Sequence, residues 1–167
     1  MTTPPSAIFI GRWDRADRAQ IRVLSDLLAD YHRQTESEKG TPVAAIDALP
    51  ARYRPEVVDP VAAFAGDVVL LARSGDRGAG CVVITDAGQG RVEIKRLWTA
   101  PEYRGRRVAS GLLDAFQSYA VAVGADTIRL SVWHWRADAI ALYRKLGFTE
   151  SPSWETREGL ICMTRVV

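Results

Sequence analysis

The chain has 167 residues, with 22 Lys and Arg against 20 Asp and Glu, for a formal net charge of +2. The length fits one domain over residues 1–167, and the composition is typical of a soluble globular protein. The arginines are scattered rather than gathered in a tail, which argues against a nucleic-acid partner. No apolar stretch approaches the ~20 residues of a membrane helix and no signal pattern opens the chain, so we expect a cytoplasmic protein without a membrane partner.

The first elements are a strand and an amphipathic helix. Residues 7–13 are apolar between polar ends, which predicts a short strand. Asp14 is expected to begin the helix, with Asp17 as a weak capping-box partner. A second short helix is expected from Thr41 and Pro42. Three prolines then predict turns: Pro50, Pro55 and Pro60.

From residue 67 the pattern changes to β-branched runs. Residues 68–72 and 81–85 predict a hairpin across Ser74 to Gly78, and residues 91–99 predict a third strand. That third strand alternates unevenly. One face is predicted to carry Glu93, Lys95 and Leu97, and the other Val92, Ile94, Arg96 and Trp98. Cys81 and Cys162 both lie in apolar runs and lack metal-site spacing, so we expect buried thiols and no metal.

The second half alternates helices and strands. A helical stripe from Val108 ends at Gly124, residues 127–133 predict a strand, residues 137–146 a helix and residues 160–167 a final strand. The order β-α-α-β-β-β-α-β-α-β is that of a mixed α/β protein with one parallel crossover.

The segment between the third strand and the helix at Val108 carries an anion-binding pattern. Arg104, Arg106 and Arg107 precede a helix start, whose unpaired N–H groups and dipole favour phosphate. Gly105 and Ala109 would let a ligand approach the backbone. A solvated basic turn is the alternative. No phosphate-binding Gly-x-x-x-x-Gly-Lys-Ser/Thr or dinucleotide-binding Gly-x-Gly-x-x-Gly motif is present, which argues against ATP or NAD.

Residues 93–113 resemble the cofactor motif of the GNAT acetyltransferases, and residues 139–148, Ala-Ile-Ala-Leu-Tyr-Arg-Lys-Leu-Gly-Phe, are similar to that family's last conserved helix. The resemblance implies the GNAT fold, a splayed, mostly antiparallel sheet flanked by helices, with acetyl-CoA as co-substrate. The family's loop pattern is Arg/Gln-x-x-Gly-x-Gly/Ala. Arg104 and Ala109 match it, whereas Arg107 stands at the middle glycine and Arg136 at a frequent asparagine.

The resemblance also implies residue roles. Tyr143 would protonate the leaving thiolate, and Glu93 would deprotonate the amine through water. Glu93 could instead pair with Lys95 or Arg91, and His134 is the rival base. The cofactor would contact the backbone of three strand residues, the loop and helix start, and two residues farther along: Leu97, Trp98, Thr99, Arg104, Gly105, Arg106, Arg107, Val108, Ala109, Ser110, Arg136 and Tyr143.

The acceptor is expected to be the amine of a small molecule. Tyr31, Glu36, Trp133 and His134 are the candidate substrate contacts, although an exposed acidic helix end and structural tryptophans are the alternatives. A protein N-terminal or lysine acetyltransferase and a non-catalytic acyl-CoA-binding module also fit the sequence. A homodimer is expected because the apolar strand at residues 160–167 would need covering.

Overall fold

The computed structural model describes residues 7–167. Within this range, seven strands and five α-helices form an α/β arrangement. In chain order they are β1 (Phe9–Arg12), α1 (Arg18–Glu38), α2 (Arg54–Val58), α3 (Pro60–Ala63), β2 (Val68–Ser74), β3 (Arg77–Gly88), β4 (Arg91–Thr99), α4 (Val108–Ala122), β5 (Thr127–Trp133), α5 (Ala137–Lys145), β6 (Thr149–Glu150) and β7 (Leu160–Val166).

The strands form one seven-stranded sheet in the order β1-β2-β3-β4-β5-β7-β6. β4 and β5 run parallel, in a register that places Arg91 opposite Thr127 and Ile94 opposite Leu130. The pairs β1–β2, β5–β7 and β6–β7 are antiparallel. The predicted meander, the single parallel crossover and the mostly antiparallel sheet are therefore confirmed.

Two compact units divide the described chain. One contains the residues up to Val83 together with Arg96–Ala115, and the other contains Ile84–Lys95 and Phe116–Val167. Buried apolar side chains fill each unit. In the first they include Leu24, Leu28, Leu49, Val69, Leu71 and Leu112, and in the second Phe116, Ile128, Leu130 and Met163.

Helix α1 begins later than the sequence pattern predicts. Asp17, not Asp14, is its N-cap, and the Asp17 side chain accepts hydrogen bonds from the backbone N–H groups of Ala19 and Gln20. The Gln20 amide donates to the second Asp17 oxygen at 3.1 Å. Asp14 caps only a preceding turn, through the backbone N–H of Ala16. Gln20 stands three residues after this cap, but its Oε1 atom accepts from the Asp14 N–H, and the Asp17 N–H donates to the Asp14 carbonyl instead of closing a capping box.

The segment between α1 and β2 differs most from expectation. No helix begins at Pro42, and within residues 40–52, all of which the structure describes, the regular structure is a 3₁₀ turn at Ile46–Ala48. The expected turns around Pro55 and Pro60 are instead the two short helices α2 and α3. Each proline stands in the first helical positions, where its missing N–H costs nothing.

The C-terminal half follows the prediction closely, with one addition. β5 has the predicted bounds, and Gly124 and Gly147 take positive φ just beyond α4 and α5. The two-residue strand β6 was not predicted. Because β6 pairs with β7, the final strand lies inside the sheet order, between β5 and β6, and the expectation of an uncovered final strand is wrong.

Both cysteines are buried, as predicted. Burial raises the pKa of the Cys81 thiol to about 12, which makes this thiol unreactive at neutral pH. Across residues 7–167, none of the helices combines the length and the apolar character needed to cross a membrane.

Candidate active site

The arginine loop has a backbone shaped by two left-handed residues. After a 3₁₀ turn at Pro101–Tyr103, Gly105 adopts φ +75° and Arg107 adopts φ +61°, and α4 then begins at Val108. A Cβ on Gly105 would meet nothing within 4 Å, so the loop is open there. Arg107, which stands at the middle glycine of the family pattern, therefore carries a side chain in the left-handed region, at a steric cost.

Two of the three guanidinium groups of this loop lie over aromatic rings. Arg104 lies over the Trp98 ring, 5.2 Å from its centroid, and Arg106 lies over Tyr103 at 5.5 Å. Both arginines and Arg107 are exposed. The first hydrogen bond of α4 joins the Gly111 N–H to the Arg107 carbonyl, so the N–H groups of the first turn precede it. This donor set fits a pyrophosphate.

Strand β4 continues through Arg96, but the backbone of Arg96 is left-handed, with φ +53°, and we call this distortion the bulge. The recorded pairing of β4 with β5 ends at Ile94, two residues earlier. A left-handed residue within a strand distorts the strand locally and increases its twist. The backbone of Leu97, Trp98 and Thr99 comes directly after this bulge.

The backbone beyond the bulge packs closely against β3. The Ala100 N–H donates to the Ala79 carbonyl at 2.9 Å. A Cβ on Gly80 would come within 2.5 Å of the Trp98 carbonyl oxygen, a distance that requires glycine. The Cys81 thiol lies 3.5 Å from the Arg96 carbonyl oxygen.

The Arg96 side chain forms a half-buried ion pair with Glu56 of α2. Its Nε and Nη2 donate to the two Glu56 carboxylate oxygens at 2.8 and 2.7 Å. The Nε2 atom of His32 on α1 lies 2.8 Å from the same carboxylate, and His32 is only 2% exposed. Since a carboxylate only accepts, His32 donates from Nε2.

The ionisation of this cluster is set by burial and by its own hydrogen bonds. Burial lowers the pKa of His32 and outweighs the opposing effect of Glu56, so the imidazole is neutral at pH 7. Burial alone would raise the pKa of Glu56, but the hydrogen bonds from Arg96 and His32 lower it to about 2. Burial likewise opposes the charge of Arg96, yet the Glu56 carboxylate raises its pKa.

Of the candidate substrate contacts on α1, Tyr31 lies beside the bulge. Its ring contacts the Trp98 ring edge-on at 6.0 Å, and the Arg96 guanidinium lies 5.8 Å from its centroid. Glu36 is buried, at 6% exposure, rather than on an exposed helix end. Its two carboxylate oxygens accept hydrogen bonds from Lys39 Nζ at 2.9 Å and from Thr41 Oγ1 at 3.0 Å. Glu36 therefore stabilises the C-terminal end of α1.

Glu93 is also buried, at 6% exposure, and its partner is neither Lys95 nor Arg91. Arg129, the residue opposite it on β5, contacts its Oε2 atom at 3.1 Å. The Arg129 guanidinium lies 4.6 Å from the centroid of the Trp154 ring.

Tyr143 lies on α5 and is 6% exposed. Its ring packs against Phe148 at 5.8 Å, and the Phe148 N–H donates to the Tyr143 carbonyl. Arg136, at the position of the family asparagine, is the N-cap residue of this helix, and its side chain makes no capping hydrogen bond.

The remaining candidates lie at the end of β5. The Trp133 and Trp135 rings stack at 4.8 Å, and the His134 ring meets Trp135 edge-on at 5.2 Å. His134 is exposed, whereas both tryptophans are half-buried. Arg157 lies over the Trp133 ring at 5.8 Å.

Sequence reasoning missed His32 and Glu56, and it assigned no role to Arg96 or Arg129. One signal was present, since His32 continues the four-residue spacing of Leu24 and Leu28 on the buried face of α1. Glu56 had no comparable signal, because a glutamate beside prolines is equally common in solvated turns.

Comparison with known proteins agrees with this architecture. Residues 24–148 match the model of the "Acetyltransferase (GNAT) family". The chain is similar to an IAA acetyltransferase of Azospirillum brasilense, 36% identical over 84 residues, or 48% of this chain and 54% of that protein. A thialysine N-epsilon-acetyltransferase of Sus scrofa is 29% identical over 68 residues, or 39% of this chain and 40% of that protein. The chain thus spans about half or less of the length of these curated relatives.

A solved structure extends the likeness to nearly the whole chain. The PaiA N-acetyltransferase of Thermoplasma acidophilum, solved in complex with coenzyme A, superposes with a TM-score of 0.70 at 16% identity, over 96% of this chain and 99% of that one. At this identity the superposition shows the fold. With the family model matching well over half of its residues, the chain belongs to the GNAT family of acetyltransferases.

Proposed function

We propose that this protein is an acetyl-CoA-dependent N-acetyltransferase that acetylates the amine of a small molecule by direct transfer, with residues 1–167 acting as one catalytic domain. The observation that carries the proposal is the exposed arginine loop, which turns through two left-handed residues into the start of α4 in a chain of this family. Such a loop offers guanidinium and backbone donors to a pyrophosphate.

The proposed cofactor contacts fall into two groups. The side chains of Arg104, Arg106 and Arg107 and the N–H groups at Val108–Ser110 hold the phosphates. The backbone of Leu97–Thr99, beyond the bulge, binds the pantetheine arm and polarises the thioester carbonyl. The bulge supports this second role. The register between β4 and β5 ends at Ile94, before the bulge, so Leu97–Thr99 lie beyond the residues that pair with β5.

Acetyl transfer also requires a neutral amine and a protonated leaving group. An alkylammonium has a pKa near 10, so a base must remove its proton before attack. We assign that step to the Glu93 carboxylate, with His134 as the next candidate. Tyr143 then protonates the departing thiolate, a task that a phenol can perform while neutral at pH 7. No covalent enzyme intermediate is needed when both substrates are held together.

The acceptor class rests on the curated relatives, whose names give small molecules as their substrates. Tyr31 supports an acceptor role in this chain, since it lies half-buried beside Trp98 and the bulge. Trp133 and His134 are the proposed acceptor contacts at the end of β5.

Release of free thiol from acetyl-CoA, measured across a panel of small amines, amino acids and peptides, tests the proposal. We expect turnover with at least one small amine and slower turnover with peptides carrying free N-termini or lysines. Turnover with peptides alone would replace the small-molecule acceptor with a protein, and coenzyme A binding without any turnover would leave only an acyl-CoA-binding module.

A homodimer is a further part of the proposal. Its support is one exposed apolar side chain on the final strand, Val166, which is 80% exposed. Light scattering at micromolar concentration should give twice the 18.4 kDa mass of the chain, and a monomeric mass would reject the dimer.

A further inference from the structure

The bulge at Arg96 needs a source of stability that the strand itself does not provide. Arg96 occupies the left-handed region at φ +53°, where a Cβ crowds the following carbonyl. Such conformations persist only where surrounding contacts determine them. The Arg96 side chain donates two hydrogen bonds to Glu56, at 2.8 and 2.7 Å, and these contacts fix its position.

The side chain is held by a network of three polar groups on three elements, of which His32 is buried and Glu56 and Arg96 are half-buried. Arg96 on β4 makes two hydrogen bonds to Glu56 on α2, and Glu56 accepts a third from His32 on α1. Aromatic rings pack around this network. His32 stacks on the Tyr53 ring at 4.7 Å, and Arg96 lies 5.5 Å from the same ring.

The charges of His32, Glu56 and Arg96 favour one geometry of their side chains. A two-point guanidinium–carboxylate contact fixes direction as well as distance, and a lysine would lack the planar pair of donors. His32 is neutral at pH 7, because burial lowers its pKa, so it orients the carboxylate without competing with Arg96 for its charge. The geometry therefore ties the α1–α2 segment to one residue of β4.

We propose that His32, Glu56 and Arg96 form a brace that holds the left-handed bulge of β4 and thereby sets the direction of the Leu97–Thr99 amides. Glu56 and His32 are positioning residues, since they act through Arg96. The proposal rests on the proposed function for its effect on catalysis, because those amides are the assigned thioester contacts. The effect of the brace on the order of the Leu97–Thr99 amides does not depend on the proposed function.

A matched set of variants separates the brace from general stability. Glu56→Gln keeps the shape of the side chain and removes its charge. Glu150→Gln is the control, since Glu150 forms a 2.8 Å ion pair with Arg144 whose side chains are 56% and 60% exposed. Two double variants, Glu56→Gln with Arg96→Gly and Glu56→Gln with Arg96→Ala, differ only in whether residue 96 tolerates positive φ.

The first measurement is hydrogen exchange of the backbone amides, read residue by residue by NMR on each folded variant. We expect Glu56→Gln to speed exchange at Leu97–Thr99 by at least about tenfold and Glu150→Gln to leave it unchanged. The double variant with Arg96→Gly should exchange about fivefold more slowly there than the one with Arg96→Ala, since glycine adopts the left-handed region without strain. Equal exchange in the two, or faster exchange spread evenly over the chain, overturns the brace.

The second measurement is turnover with acetyl-CoA and the best amine found. Glu56→Gln should raise the apparent KM for acetyl-CoA and lower kcat, and the double variant with Arg96→Gly should be more active than the one with Arg96→Ala. Altered exchange with unchanged kcat and KM overturns the link to catalysis. If the wild-type protein turns over no amine, the proposed function fails, and hydrogen exchange still decides whether the brace exists.

Discussion

Glu93 on β4 and Arg129 on β5 stand directly opposite one another in the parallel register, and the guanidinium of Arg129 lies 3.1 Å from a Glu93 carboxylate oxygen. Glu93 is 6% exposed and the Arg129 side chain 17%. Removing one member of such an ion pair destabilises the protein, because the remaining charge stays buried without its partner. The pair gives the proposed base a structural role as well, and the two roles separate by experiment.

Glu93→Gln should lower turnover most at low pH and should be partly rescued as the pH rises. Without its base, the reaction depends on amine that is already neutral in solution, and that fraction grows with pH. Arg129→Met is the matched variant, since it breaks the same ion pair and leaves the carboxylate. We expect both to lower Tm, but only Glu93→Gln to make turnover follow the fraction of amine that is already neutral in solution. An identical profile in the two variants would confine Glu93 to the ion pair and make His134 the next base to test.

Tyr143→Phe should lower kcat by roughly 100-fold, the low end for general acid catalysis, while acetyl-CoA still binds. The substitution removes one hydroxyl and keeps the ring that packs against Phe148 at 5.8 Å. Tyr119→Phe in α4 is the control for loss of a tyrosine hydroxyl, and its kcat should match that of the wild type. A near-normal kcat for Tyr143→Phe would mean that the thiolate leaves unprotonated or takes its proton from water.

Arg104→Ala should raise the apparent KM for acetyl-CoA by about 10- to 100-fold, the loss expected for one charge-assisted hydrogen bond to phosphate. The KM for the amine should change far less. Arg77→Ala is the control, because Arg77 is an exposed arginine, 72% accessible, that pairs with Glu102. Unchanged cofactor affinity in Arg104→Ala would remove the loop from the cofactor site.

Arg107→Gly should stabilise the protein by about 0.5–1 kcal/mol, because glycine adopts φ +61° without the Cβ clash. The KM of Arg107→Gly for acetyl-CoA shows whether the Arg107 side chain contributes to cofactor binding. An increase would show that its guanidinium binds phosphate, and no increase would show that the glycine position tolerates arginine without using it. Destabilisation measured by urea unfolding would contradict the strained loop.

The brace should make the protein sensitive to acid. The folded-state pKa of His32 lies below 6.5 and that of Glu56 is about 2 against 4.5, so both groups take up protons more readily in the unfolded chain. Stability should fall as the pH drops below about 6.5 and again between 4.5 and 2. The second fall corresponds to about 3 kcal/mol for Glu56.

Chemical denaturation at a series of pH values measures this dependence. Glu56→Gln should be less stable than the wild type at pH 7 and should lose less between pH 5 and pH 3. Glu150→Gln, an exposed carboxylate paired with Arg144, should follow the wild-type curve. Parallel curves for wild type and Glu56→Gln would refute the lowered pKa of Glu56.

The sequence alone determined the elements whose signals are local. Hydrophobic period and glycine placement predicted β4, β5, α4 and α5 within two residues, because each of these patterns acts over one or two turns of chain. The arginine loop and the last helix carried enough residue-specific pattern to identify the family. The predicted N-cap of α1 was wrong by about one turn. Asp14 and Asp17 are equally good cap residues, and packing selects between them.

Only the tertiary structure decided which polar groups meet. The partner of Glu93 proved to be Arg129, 36 residues away, and Arg96 found its carboxylate at Glu56, 40 residues away. Such pairs leave no periodic trace, because they depend on the register of strands and on where a short helix packs. The left-handed backbone at Arg96 and Arg107 could not be predicted from the sequence either. Arginine has no preference for positive φ, so surrounding contacts must impose that conformation.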